Sequence, residues 1–191
     1  MIVEGIITTL DEFGRMHLAP MGPVVDERIK TLVLRPFVTS RTFRHLQERP
    51  EGVFHIVDDV LLLAQGAIGA VEPVPEFLPA RKIHGAVLQD ACRWFEFRIV
   101  RCDATGERAL LETKIVHRGR RRDFFGFNRA KHAVVELAIL ATRLHLIPPD
   151  VIRAEIARLG VPVQKTSGPR EQSAFELLVR HIERQMERGA S

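Results

Sequence analysis

Residues 35–46 read RPFVTSRTFRHL, which sets three hydroxyls (Thr39, Ser40 and Thr42) among three arginines (Arg35, Arg41 and Arg44). Short hydroxyls, guanidinium forks and the N–H groups of a helix start are the donors that hold a phosphate monoester. Pro36 turns the chain one residue after Arg35, and Ser40 or Thr39 stands where a helix over RTFRHLQER needs a cap. The same residues also satisfy a plain capped helix with solvated arginines. At this point both a phosphate cradle and a structural turn are open.

Two further stretches invite chemistry. HLAPMG, residues 17–22, closes a strand with Pro and Gly, which lets backbone approach a flat ligand without side-chain obstruction. Residues 114–131 carry seven Lys or Arg against one Asp, although the net charge of the whole chain is only +4, so the basicity is local. Within it, RGRRRDFFGFNRAK interleaves arginines with phenylalanines, a pattern that suits stacking on bases. The residues after FFGF enter an Ala-rich helix, whereas the corresponding RNA-binding octapeptide lies in a strand, so nucleic acid is disfavoured as a partner. Arg120, Arg121 and Arg122 read as a solvated hairpin tip, while Asn128, Arg129 and Lys131 are placed to direct charge into a pocket.

Other chemistries find no support. The eight histidines are scattered without HExxH or CxxC, which disfavours a metal centre. Cys92 and Cys102 lack metal-ligand spacing and read as buried, reduced thiols. No serine sits in a nucleophile elbow, and Asp58–Asp59 reads as a helix cap. No apolar run reaches about 18 residues, and the start MIVEGIITTL reads as a strand rather than a secretory leader, so the expected location is the cytoplasm.

The positioning elements follow from periodicity. IVEGIITTL, RMHLAPM, TLVLRPF and GVFHIV read as strands, and CRWFEFRIVRC with ERALLETKIVHRG as a hairpin around DATGE. VEPVPEFLPARK reads as a proline-punctuated surface loop. Helices are predicted over RTFRHLQER, over DDVLLLAQGAIG with Asp58 or Asp59 as cap, and over FNRAKHAVVELAILATRLHLI with Asn128 as cap. PPDVIRAEIARLG gives another, stopped by Gly160, and a last one spans about residues 170–188. Strands first and helices after imply an α+β class, and no glycine-rich strand-to-helix fingerprint supports a doubly wound nucleotide fold.

Taken in order, EGIITT, APMG, RPFVTSRTFRHL, DDVLLLAQGAIG and GFNRAKHAVVELAILATRL resemble a family of unknown function in the FMN-binding split-barrel, flavin-reductase-like superfamily. The resemblance covers roughly residues 2–190. It implies a Greek-key split β-barrel over residues 1–126, with inserted short helices, and C-terminal helices over 127–191. It also implies a homodimer and noncovalent FMN. Carried over residue by residue, Arg35, Ser40 and Thr42 would hold the phosphate, and the ring would run along Ala19, Met21 and Gly22. Asn128 and Lys131 are secondary candidates for the same anion. The family tends to have Asn where this chain has His45 and His55. The implied activity is electron transfer between a small-molecule donor and acceptor, with a flavin carrier as the alternative.

Overall fold

Strand β1, Gly5–Leu10, is buried along almost its whole length. Its β-branched residues alternate between two covered faces: Ile7 enters one core, while Ile6 and Thr8 point to the other side. Such two-sided burial requires a second layer, and the computed structural model, which describes residues 1–189, supplies it.

The chain divides into two compact units, residues 1–57 with 74–124, and residues 58–73 with those from 125 onward. The first unit adds β2 (Met16–Met21), β3 (Val24–Val25), β4 (Leu32–Leu34), β5 (Glu51–Ile56), β8 (Arg93–Asp103) and β9 (Leu110–Arg120) to β1. These seven strands pair antiparallel in the order β2-β1-β5-β8-β9-β4-β3. The sheet curls back on itself. Ile2 bridges Val24 of β3, and the Val3 N–H donates to the Pro23 carbonyl at 3.2 Å. Inside the curl lie Ile7, Leu32, Leu34, Phe54, Phe95, Phe97 and Leu111, with Phe43 and Leu46 of helix α1 (Arg41–Glu48).

The outer face of β1 and β5 is covered by a hairpin of β6 (Phe77–Pro79) and β7 (Ala86–Leu88). The sequence predicted a loop over residues 71–82. Pro79 ends a strand instead, because an edge strand has no need of its missing N–H. Val53, Ile83 and Val87 form the apolar contact beneath the hairpin. Polar side chains, Glu51 and Arg98 among them, tie it down. Thr8 Oγ1 donates to the Ala86 carbonyl at 2.5 Å. The buried Glu96 carboxylate accepts the Arg81 and Lys82 N–H groups at 2.9 and 2.7 Å. His55 bonds to Leu88.

The second unit is helical: α2 (Val60–Ala67), α3 (Arg129–Ala141), α4 (Pro149–Thr166) and α5 (Pro169–Gly189). Asp59 caps α2 by accepting the Leu61 and Leu62 N–H groups. The core joins Leu63 and Ala64 to Val134, Leu137, Ile152, Leu159, Val163, Leu178 and Ile182. Helix α4 does not stop at Gly160 as predicted but continues through Pro162. An interior proline costs about 3 kcal/mol. Burial of Leu159 and Val163 on either side of the break offsets that cost, since each buried aliphatic side chain contributes about 1.5–3 kcal/mol. Neither cysteine is in a disulfide, and Cys92 is buried, but Cys102 is exposed rather than buried as expected, on an outer end of β8.

Candidate functional site

Arg35 leaves β4 just before the turn into α1. Its side chain is exposed, and its carbonyl accepts Nη1 of Arg108 at 3.1 Å, which fixes the backbone there. Ser40 is the N-cap of α1, with Oγ accepting the Phe43 N–H at 3.1 Å. The N–H groups of Arg41 and Thr42 precede the first intrahelical acceptor, and the first turn contains no acidic residue. That end of α1 therefore carries partial positive charge with no carboxylate to quench it. Thr42 differs from its neighbours: it is only 3% exposed, so in the single chain Arg35 and Ser40 are the members of the trio with surface to offer.

Helix α1 packs against β1 and against β2, the strand carrying the other predicted residues. Ala19 and Met21 are half-buried on the barrel core. At Gly22 the position a Cβ would occupy is taken by Ile2 Cγ2 at 2.8 Å and a Glu4 carboxylate oxygen at 2.9 Å. The glycine thus serves a close approach of the N-terminal segment as well as any ligand. Toward the other end of β2, His17 meets His45 of α1 edge to face, with ring centroids 5.5 Å apart. Burial, reinforced by the charges of Arg41 and His45, pulls the His17 imidazole down to about 4, so it is neutral at pH 7. His45 Nδ1 in turn lies 3.3 Å from Thr9 Oγ1.

Asn128 and Lys131 belong to the second unit, where each has partners. Asn128 caps α3 through the Lys131 N–H at 3.1 Å, as its sequence context predicted, and its Nδ2 donates to the Thr166 carbonyl at 2.9 Å. Lys131 Nζ pairs with Glu171 at 2.8 Å and donates to the Asp58 carbonyl at 2.6 Å.

His55 is fully buried, with both ring nitrogens engaged by backbone. Sequence reading placed it in a strand but could not show that its ring faces the covering hairpin. Trp94 packs on that same outer cluster, away from β2, and the chain has no Tyr. Arg120 and Arg122 are not at a hairpin tip. The β8–β9 turn lies at residues 104–109, at the far end of the two strands. Residues 124–127 form no strand, unlike an RNA-binding octapeptide. Among the described residues, no group of three His, Cys, Asp or Glu could hold a metal ion, and no helix is long and apolar enough to cross a membrane.

Comparison with known families now decides the relationship. The model of the N-terminal domain of a protein family of unknown function, DUF447, matches residues 3–122, and the family's second model matches residues 128–180. The chain belongs to the DUF447 family. Among solved structures it is similar to an FMN-bound DUF447 protein from Methanosarcina mazei, with a TM-score of 0.81 and 22% identity over 94% of each chain. It is also similar to 2-nitrobenzoate 2-nitroreductase from Pseudomonas fluorescens, with a TM-score of 0.53 and 16% identity over 62% of this chain and 64% of that one. The flavin reductase of styrene monooxygenase from Pseudomonas putida gives 0.52 and 14%, over 63% and 80%. The curled sheet of this DUF447 chain is therefore the split barrel of flavin-reductase-like folds, as the sequence resemblance implied.

Proposed function

We infer that this DUF447 protein binds FMN noncovalently, as a homodimer, and exchanges electrons between a small-molecule donor and acceptor. The observation that carries the reading is the likeness, over 94% of both chains, to a family member that is itself FMN-bound. The residues present fit the group. A phosphate needs a positive, acid-free helix start and a guanidinium that can turn toward it, and the β4–α1 turn offers both in α1 and Arg35. Ser40 Oγ keeps acceptor capacity and its own proton after capping, so it can donate to a phosphate oxygen. Thr42 lies on the buried side of the same turn. His17, neutral at pH 7, does not add to the positive charge of Arg41.

Ala19, Met21 and Gly22 would border the flavin ring with backbone and apolar surface, because neither Tyr nor Trp94 is available to stack on it. When bound, the flavin itself supplies the redox chemistry, so the protein needs to bind, orient and shield rather than provide an acid, base or metal.

The test is the cofactor released when the purified protein is denatured. FMN should be recovered, or taken up stoichiometrically on addition. A colourless protein that retains no added FMN would remove the reading. Rapid mixing with reduced nicotinamides under anaerobic conditions then separates the oxidoreductase, whose flavin bleaches, from a carrier, whose flavin does not.

A further inference from the structure

The end of β8 and β9 remote from their turn carries an open groove of about 540 Å³, whose walls include Arg93, Arg118, Arg120, Arg122 and Phe124. Strand register explains how these side chains meet. Arg93 lies directly opposite Arg120, and Arg118 lies opposite Phe95, two residues along from Arg93. Residues two apart on a strand, and residues directly opposite each other, share one face of a sheet. Arg93, Arg118 and Arg120 therefore crowd one face, beside the core residue Phe95.

Strand pairing by itself disfavours this arrangement. Like charges directly opposite each other destabilise a sheet, and an acidic partner at either position would remove the repulsion. Neutral groups hold two of the three in place. The Arg93 and Arg118 guanidiniums sit 5.5 and 5.8 Å from the Phe95 ring centroid. Arg118 also donates to the carbonyls of Arg28 and Ile29, at 3.3 and 2.8 Å. Ile29 holds that carbonyl in place with a φ of 48°, a left-handed conformation unfavourable for a β-branched residue. Of these three, among the described residues, Arg120 is matched by a carboxylate, that of Asp123, which also lines the groove. Cations fixed by carbonyls and a ring keep their charge for an incoming anion and lose little further freedom when it binds.

Size and shape narrow the anion. The groove falls in the volume range of small-molecule sites, and Phe124, 47% exposed, supplies an aromatic surface at its edge. The site is separate from the β4–α1 turn. Arg35 follows Leu34, which pairs with Leu111, while Arg118 lies seven residues further along β9, roughly 23 Å of strand away. We propose that this groove is a second ligand site, which takes a nucleoside diphosphate moiety with its pyrophosphate on Arg93, Arg118 and Arg120 and its base against Phe124.

Calorimetric titration of the full chain with ADP, inorganic pyrophosphate and adenosine at low salt tests it. ADP should bind saturably with a dissociation constant in the range of about 10–100 μM, pyrophosphate more weakly, and adenosine least. Arg93→Ala should weaken ADP about tenfold, and Arg120→Gln should do likewise. Arg93→Ala should leave FMN uptake unchanged and should not lower the melting temperature, since it removes a repulsive pair. No saturation by about 5 mM ADP would overturn the proposal, as would wild-type ADP affinity in both variants. Loss of FMN uptake in Arg93→Ala would show that the groove is not a separate site. Tighter, steeply salt-dependent binding of a single-stranded oligonucleotide that displaces ADP would assign the arginines to a polynucleotide instead.

Discussion

His55 and Leu88 lie 3.1 Å apart, with the Leu88 N–H donating to Nε2 of the imidazole. The other ring nitrogen, Nδ1, is 3.1 Å from the Ile6 carbonyl, which can only accept. The two partners together define the tautomer: the proton is on Nδ1 and Nε2 is bare. One ring therefore joins the barrel sheet to the hairpin that covers it, and only the neutral form can do so. Burial pulls its pKa down from 6.5 to about 4, the bond to Ile6 opposing in part.

The consequence is a pH dependence of folding. As pH falls through 6.5 the unfolded chain takes up a proton at residue 55, while the folded chain does so only near 4. Stability from this group is complete above 6.5, declines between 6.5 and 4, and totals about 3 kcal/mol. Urea midpoints should fall over that window. His55→Leu should reduce the slope, leaving the part due to His17, and cost about 2 kcal/mol at pH 8, because the Leu88 N–H is left buried without an acceptor.

Arg35 and Ser40 separate binding from stability. Arg35→Ala removes an exposed guanidinium and should leave the melting temperature within error, yet weaken FMN by about 1.5–3 kcal/mol, as for a charged hydrogen bond. Ser40→Ala also removes the α1 cap, so it should lower stability by about 1 kcal/mol even without flavin. Fluorescence titration of FMN beside thermal melts of the apoprotein checks both.

The pair Lys131–Glu171 is the equivalent tie in the helical unit, with side chains 18% and 11% exposed. Burial acts to raise the Glu171 pKa, but hydrogen bonds from Lys131 and the Gly168 N–H prevail and hold it below its usual value. Its contribution is thus present above the ordinary carboxylate pKa and lost as pH falls through the lowered one. Lys131→Met should cost about 2 kcal/mol, below the figure for a wholly buried pair because both side chains keep some surface. Adding Glu171→Leu should recover part of the loss, as a double-mutant cycle would show.

Gly119 lies opposite Trp94 in the sheet, and a Cβ there would fall 2.0 Å from the indole Cζ2. Gly119→Ala should cost about 1–3 kcal/mol by overpacking. Combining it with Trp94→Leu should cost less than the sum of the two single changes, a non-additivity that denaturant titrations would reveal.

Features governed by neighbours in the chain were legible from the amino-acid order. Ser40 and Asp59, each one of two caps the sequence allowed, and Asn128 cap their helices, because a cap needs only a short acceptor and the N–H two or three residues ahead. The β8–β9 hairpin followed from the turn signal between two strand-like runs, and the flavin-reductase-like barrel from a series of motifs in one order. What depended on distant residues was not legible. Residues 77–79 became a strand because residues 86–88 pair with them, and α4 passes Gly160 and Pro162 because its flanks are buried by other helices. The job of His55 appears only once Leu88 is set against it. The opposition of Arg93 and Arg120 exists only in a particular strand register. Local sequence settles backbone preference and capping, whereas which side chains face each other is settled by long-range pairing and burial, which no short window of residues contains.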